Sequence, residues 1–206
     1  LEKAVGTHGL VLDHHAELLP LALPDVFQGD LRRDHGGFGQ SHAVVVQQHI
    51  LLEFREKFMD LVVNHTSDEH EWFQKSRRRI EPYTDYYIWR KGEKGKKPTN
   101  WGNFFGGDCW EYDDLRGEYY LHLFAKEQPD LNYHNEAVIE AIEEVMHFWL
   151  DRGVAGFRCD VINIIYKEAI KNGKWRPALT GSEYYLSTPG CHRVLHRLHE
   201  DVLAKY

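Results

Sequence analysis

The sequence lacks several features that mark whole classes of protein. It has no run of about 18 apolar residues, so we expect no membrane-spanning helix and no membrane partner. It has no basic start followed by an apolar stretch, so we expect no signal peptide. The net charge of −7 argues against a nucleic-acid partner. The three cysteines, Cys109, Cys159 and Cys191, show no zinc or redox spacing, which predicts reduced thiols in a cytoplasmic protein.

The first 57 residues lack three residue types altogether. Leu1 to Lys57 contains no Tyr, no Trp and no Asn, although the chain holds 11 Tyr and 6 Trp. This step in composition predicts a boundary near residue 57, with an atypical segment before it. Within that segment, Ala43 to Lys57 could form a strand followed by a helix. The overall aromatic content of 13% is typical of a folded protein rather than a disordered one.

Beyond the boundary the patterns predict a parallel sheet. Phe58 to His65 is an apolar run that ends in polar residues, which is typical of a buried parallel strand. Asn135 is expected to cap a helix whose apolar residues recur at helical spacing as far as Leu150. Val154 to Val161 is a second predicted strand. Strand, long insert, helix and strand together predict a right-handed βαβ unit.

The insert between the first strand and the helix, residues 66–130, is aromatic and irregular. Lys91 to Pro98 is expected to be an exposed loop. Trp110 to Tyr112 and Glu118 to Phe124 are predicted to form a hairpin, because Asp113, Asp114 and Gly117 supply turn residues between them. After the second strand, a last helix is expected from about His192 to Ala204.

Two groups at the predicted strand ends could carry chemistry. Arg158 and Asp160 point the same way because strand side chains alternate, and a neighbouring guanidinium favours an ionised carboxylate. A carboxylate nucleophile needs that charge, but spacing alone favours a purely structural ion pair. His65 by itself is more often a structural histidine. Two adjacent parallel strands that both end in polar groups favour a site, since sites lie at the carboxyl ends of such strands.

Several segments resemble one known family. Asp60 to His70 resembles the first conserved region of glycoside hydrolase family 13, the α-amylase family. Gln128 to Asn132 and Gly156 to Val161 resemble two further regions. Asn100 to Gly107 and Tyr119 to Phe124 resemble the oligo-1,6-glucosidase and α-glucosidase branch. The resemblance covers residues 58–206 and implies an α/β fold, namely the third and fourth strands of a partial (β/α)8 TIM barrel, with residues 66–130 as its small inserted domain B.

The resemblance also implies a role for each matching residue. Asp160 would be the nucleophile that forms a covalent glycosyl-enzyme, and Arg158 would hold and polarise it. His65 would bind the sugar, with Asp60 and Asn64 as supporting residues. The implied reaction is retaining hydrolysis of α-glucosidic bonds in oligosaccharides. Val at position 161 resembles members that prefer α-1,6 linkages, while α-1,4-glucosidase and trehalose-6-phosphate hydrolase remain open.

Parts of the family pattern are missing from the sequence. A retaining glycosidase needs two carboxyl groups about 5 Å apart, and only the nucleophile is identifiable. Glu183 does not match the context of the family's general acid, so we expect the chain to be an inactive fragment. An isolated pair of parallel strands leaves sheet edges unpaired, so we also expect poor solubility. No calcium loop is recognisable, which predicts no metal or other cofactor. Residues 1–57 match nothing in the family, and one hypothesis is that they are read in a wrong frame.

Two other classes of function stay open. One is a non-catalytic carbohydrate- or partner-binding relative of the same family. The other is a His-rich metal-binding protein, for which His192, His196 and His199 share a face of the predicted last helix, although Arg193 and Arg197 crowd the same surface.

Overall fold

The computed structural model describes residues 58–206. The predictions for residues 1–57, including the elements expected between Ala43 and Lys57, therefore lie outside the described residues. In chain order the strands and helices are β1 (Phe58–Val62), α1 (Glu71–Arg77), β2 (Trp89–Arg90), β3 (Trp110–Asp113), β4 (Glu118–Leu121), α2 (Glu136–Leu150), β5 (Gly156–Asp160) and α3 (Pro189–Asp201). None of these helices is long and apolar enough to cross a membrane.

Strands β1 and β5 form a two-stranded parallel sheet, as the sequence predicted. The register sets Asp60 opposite Arg158 and Val62 opposite Asp160. Leu61 and Val63 point into a core that also contains the buried faces of α2 and α3. β5 is shorter than the predicted span because pairing ends at Asp160, after which Val161 takes a left-handed backbone.

Helix α2 covers this sheet and begins at the predicted residue. The Asn135 side chain accepts a hydrogen bond from the backbone N–H of Ala137, which satisfies a donor left free at the helix start. Gly153, at φ 88°, follows the helix in the left-handed conformation that glycine adopts easily. The buried residues of α2 recur every three or four positions: Val138, Ile139, Ala141, Ile142, Met146 and Leu150.

Helix α3 begins three residues before the predicted start. The Thr188 hydroxyl accepts a hydrogen bond from the N–H of Cys191, and Pro189 occupies the first turn, where it costs no hydrogen bond. The helix ends at Asp201, earlier than expected, and Leu203–Lys205 continues as a 3-10 turn. The Thr188 cap thus sets the start of this helix.

A second, antiparallel sheet lies between β1 and α2, with strand order β2-β4-β3. The hairpin of β3 and β4 is confirmed, and Gly117 closes it by donating a hydrogen bond of 2.8 Å to the Asp113 carbonyl. β4 is shorter than predicted and ends at Leu121. The two-residue strand β2 was not predicted, because a pair of residues carries no readable alternation.

Buried Arg116 ties this sheet to helix α1. Its guanidinium donates to Glu118 at 2.6 Å and to the backbone carbonyls of Ser76 and Thr84, both at 2.7 Å. Burial by itself raises the pKa of Glu118, but the bond and charge of Arg116, together with Arg79, outweigh it and lower the pKa overall. The insert is therefore held by a charged cluster as well as by its aromatic core.

The end of the insert returns to the carboxyl end of β1. The N–H of Leu131 donates to the Asn64 carbonyl at 2.9 Å, and His65 pairs with Asp130 in an antiparallel bridge. The N–H of Thr66 donates to the Pro129 carbonyl at 3.3 Å. These backbone bonds fix the insert directly beside the ends of the parallel strands.

Candidate active site

Arg158 links two carboxylates on one face of the parallel sheet. Its Nη1 donates to Asp60 Oδ1 at 3.0 Å and its Nη2 lies 3.4 Å from Asp160 Oδ1. The hydrogen bond from Arg158 to Asp60, and the charges of Asp60 and Asp160, raise the pKa of Arg158 further, so it is a permanent cation. The predicted alternation of Arg158 and Asp160 is confirmed, and the structure adds Asp60 as the cross-strand partner that spacing could not reveal.

These three side chains are open to approach from outside. The exposed fraction is 64% for Arg158, 58% for Asp60 and 46% for Asp160. A surface ion pair of this kind adds little stability, typically under about 1 kcal/mol. These ion pairs therefore contribute little to the stability of residues 58–206.

His65 lies just beyond β1, half-buried against the ring of Phe124, whose centroid is 5.2 Å away. Its Nδ1 is 3.3 Å from Asn64 Nδ2 and its Nε2 is 3.0 Å from Gln128 Nε2. Burial lowers the pKa of His65, and the charges of Asp130 and Asp160, which act the other way, do not reverse the shift. His65 is thus a neutral imidazole near neutral pH.

A buried ion pair supports this end of the site. Lys167 Nζ lies 2.7 Å from Asp130 Oδ2, and both side chains are 1% exposed or less. The same ammonium donates to Asn64 Oδ1 at 2.8 Å, and Asp130 Oδ1 accepts from the N–H of Leu123. Lys167 thereby joins β1, the end of the insert and the segment after β5. Burial lowers the pKa of Lys167, although Asp130 opposes the shift.

Sequence reasoning missed Lys167. A lysine is usually solvent-exposed, and residues 165–168 carry no pattern that indicates burial. The structure buries the predicted supporting residue Asn64 fully, and a buried amide needs a partner. Which side chain supplies that partner depends on a contact across 103 residues of sequence.

The residue after Asp160 has a strained backbone. Val161 has φ 44° and ψ 28°, a left-handed conformation in which a β-branched side chain is a genuine outlier. Such strain costs on the order of 1–3 kcal/mol and persists only where the surroundings impose it, commonly at functional sites. Here it ends the strand immediately after the carboxylate and turns the chain into the 3-10 helix Ile162–Ile164.

Glu183 has an environment opposite to that of a general acid. Its Oε1 accepts a hydrogen bond of 2.7 Å from the N–H of Lys174, and Arg176 lies 3.8 Å from its other oxygen. The hydrogen bond from Lys174 lowers the pKa of Glu183, whereas a general acid near neutral pH needs a raised one. Glu183 lies in the 3-10 turn Ser182–Tyr184.

The part of the chain that the structure describes holds no group of three or more His, Cys, Asp or Glu side chains arranged for a metal ion. His192, His196 and His199 lie on α3 without forming such a group, and His199 Nδ1 is 3.1 Å from Glu200 Oε1.

Comparison with known protein families assigns the chain to one of them. The family model described as alpha amylase, catalytic domain, matches residues 52–206. The chain therefore belongs to the alpha-amylase family. The predicted family and fold class are confirmed, and within residues 58–206 the two parallel strands are part of the family's α/β domain without closing a barrel.

Two curated relatives have sequences similar to this chain. It is 53% identical to an oligo-1,6-glucosidase of Parageobacillus thermoglucosidasius over 153 residues, which covers 72% of this chain and 27% of the relative. It is 47% identical to a trehalose-6-phosphate hydrolase of Bacillus subtilis over 151 residues, covering 72% and 26%. The chain thus spans about a quarter of the length of these relatives.

A solved structure agrees with the same fold. The crystal structure of trehalose-6-phosphate hydrolase from Bacillus licheniformis superposes with a TM-score of 0.67 at 43% identity, covering 72% of this chain and 27% of that one.

Proposed function

We propose that this chain carries the nucleophile side of a retaining glycosidase site that acts on α-glucosidic bonds of short oligosaccharides. The observation that carries the proposal is the cluster in which Arg158 contacts Asp60, in the middle of β1, and Asp160, at the carboxyl end of the adjacent parallel strand β5. Membership in the alpha-amylase family and the names of the relatives support the same reaction class.

Asp160 acts as the nucleophile in this proposal. One carboxylate oxygen bonds to the anomeric carbon as the bond from that carbon to the leaving oxygen breaks, and the leaving oxygen takes the electron pair. Arg158 holds and polarises the carboxylate and limits its rotation. Water then attacks the same carbon and releases the sugar with retained configuration. His65 binds the sugar, and Asp60 and Asn64 keep Arg158 and His65 in place.

A general acid must protonate the leaving oxygen in the first step and activate water in the second. Within residues 58–206, Glu183 is unsuited to this because its pKa is lowered rather than raised. We infer that this chain by itself sustains no turnover, since a missing acid–base group typically costs 10²-fold or more.

The preferred substrate in the proposal is an oligosaccharide with α-1,6 linkages. Val161 supports this preference, as does 53% identity to an oligo-1,6-glucosidase.

Residues 66–130, with their own antiparallel sheet, correspond to an inserted domain B beside a partial barrel. No metal or other cofactor, nucleic acid or membrane takes part. Three free cysteines support a cytoplasmic location.

Labelling with α-glucosyl fluoride tests the nucleophile without needing the acid. Fluoride leaves unprotonated, so the carbon–fluorine bond breaks as Asp160 bonds to the sugar, and the adduct persists because nothing activates water to remove it. We expect intact-mass spectrometry to show one added glucosyl group, located on Asp160 by peptide mapping. Asp160→Asn should abolish the adduct, while Asp114→Asn, at an exposed carboxylate of the hairpin, should keep it.

Three outcomes would contradict the proposal. They are no adduct on the unaltered chain, an adduct at another residue, and labelling that survives Asp160→Asn. Calorimetry with isomaltose separates the remaining candidate, because sugar binding without any adduct would favour a non-catalytic carbohydrate-binding relative. Stronger protection from labelling by maltose than by isomaltose would reject the α-1,6 preference.

A further inference from the structure

Lys167 fixes the orientation of the Asn64 amide. The lysine ammonium has donors only, so the 2.8 Å contact with Asn64 requires the carbonyl oxygen Oδ1 on that side. The amide nitrogen must then face the other way, where it meets His65 Nδ1 at 3.3 Å. Because both Asn64 and Lys167 are buried, water does not compete for these contacts.

The second ring nitrogen of His65 faces another amide nitrogen, since Gln128 Nε2 is 3.0 Å from His65 Nε2. A neutral imidazole has one accepting nitrogen, so both contacts cannot be hydrogen bonds at once. Asn64 is held by a charge-assisted bond, which is roughly twice as strong as a neutral one. Gln128 Oε1 accepts a single neutral bond, 3.1 Å from the N–H of Ala125, in a partly exposed position.

Gln128, rather than Asn64, is therefore the side chain that reorients its amide. Turning the Gln128 amide presents its Oε1 to the ring, where it accepts the Nε2–H of His65 until a sugar hydroxyl takes its place. Protonating both ring nitrogens would place an N–H against the Asn64 amide, so the same geometry opposes the charged imidazolium. The lowered pKa of His65, which arises first from burial, agrees with this.

We propose that Lys167 is a positioning residue that sets the tautomer of His65, with Nδ1 accepting from Asn64 and the proton on Nε2. This rests on the proposed function in one respect, because the Nε2–H is then the donor presented to a sugar hydroxyl. Lys167 does not contact His65 and sets its tautomer through Asn64, since its ammonium contacts Asn64, Asp130 and the Ile165 carbonyl.

Nitrogen-15 NMR of the full chain labelled at histidine tests the tautomer directly. The signals of His65 are assigned by their loss in His65→Gln. We expect the unaltered chain to show a protonated Nε2 and an accepting Nδ1. In Lys167→Met, Asn64 is free to turn its oxygen to the ring, so the tautomer ratio should reverse in favour of Nδ1–H. Gln128→Ala is the matched control and should leave the proton on Nε2.

Asn64→Asp keeps the test decisive if Lys167→Met does not fold. A carboxylate at position 64 can only accept, so Nδ1 of His65 should become protonated, while Lys167 keeps Asp130 and can still donate to an oxygen at position 64. A proton on Nδ1 in the unaltered chain would overturn the proposal, as would an unchanged tautomer in both variants or a reversal in Gln128→Ala. None of these readings depends on turnover or labelling, so they are distinguishable from failure of the proposed function.

Discussion

Replacing Lys167 with methionine should destabilise the fold by about 3–5 kcal/mol, because it leaves the Asp130 carboxylate buried without its counter-charge. The two groups are 2.7 Å apart and are 1% and 0% exposed. At an effective dielectric constant of about 20, their attraction is about 6 kcal/mol, and relaxation around Asp130 recovers part of that. Methionine nearly matches lysine in length, so lost packing adds little.

Neutralising the partner should restore most of the loss. In the double variant Lys167→Met/Asp130→Asn no buried charge remains, and replacing a buried ion pair with neutral groups is often close to neutral. The double variant should therefore be more stable than Lys167→Met alone by about 2 kcal/mol or more. Lys91→Met, at an exposed lysine, is the control and should change stability by less than about 0.5 kcal/mol.

Urea unfolding followed by tryptophan fluorescence measures these changes. All six tryptophans of the chain lie in the described part, and Trp72, Trp89, Trp101 and Trp110 are buried, so the signal reports on it alone. With a slope of about 2 kcal/mol per molar urea, Lys167→Met should lower the midpoint by roughly 2 M. A loss below about 1 kcal/mol, or a double variant no better than the single one, would refute the reasoning.

Four further predictions concern the backbone at Val161, the Arg116 cluster, the titration of His65 and the missing general acid. Val161→Gly should be about 1 kcal/mol more stable than Val161→Ala in urea unfolding, since both lose the same side-chain contacts but only glycine relieves the left-handed backbone; equal stability would argue against strain. Arg116→Met should destabilise the fold by about 3 kcal/mol, because buried Glu118 loses its partner at 2.6 Å and keeps only Arg79 at 3.4 Å, and a cost under about 1 kcal/mol would contradict this structural role of Arg116. The pKa of His65 is lowered from 6.5 in the folded chain, so His65 is protonated in the unfolded chain at a higher pH than in the folded one. The free energy of unfolding should therefore fall as the pH drops below about 6.5. His65→Gln should make this fall less steep, and an equally steep fall in the variant would contradict the prediction. Finally, the purified chain should release no more than about one equivalent of 4-nitrophenol from 4-nitrophenyl α-glucoside; sustained release that Asp160→Asn abolishes would disprove the inference of an absent acid.

Local signals predicted the secondary structure where they were strong. The Asn135 cap and the apolar spacing that follows it located α2 correctly, because both act within a few residues of the chain. The parallel pairing of β1 and β5 was also foreseen, since an apolar run followed by a long connection and a helix favours that arrangement. Local sequence signals failed where a strand is very short or its pairing partner is distant in sequence. Strand β2 is such a case, because its two residues are extended through their pairing with β4.

The candidate site shows the same division. Alternation along a strand was enough to place Arg158 and Asp160 on one side, and this is confirmed. Alternation could not show that Asp60 shares the guanidinium, because that contact requires a cross-strand register. The roles of Asp160, Arg158, His65, Asp60 and Asn64 in catalysis remain predictions that the labelling experiment addresses.

The sequence by itself determined the family, the strands β1, β3, β4 and β5, helix α2 and the side chains available at the strand ends, because motifs and periodicities are local. Only the tertiary structure decided which of those side chains act together. Lys167 lies 103 residues from Asn64 in sequence and 2.8 Å from it in space. The charge of Lys167 is tolerated in the interior because Asp130 replaces the water that would otherwise solvate it. No local sequence pattern indicates which residue will supply that partner.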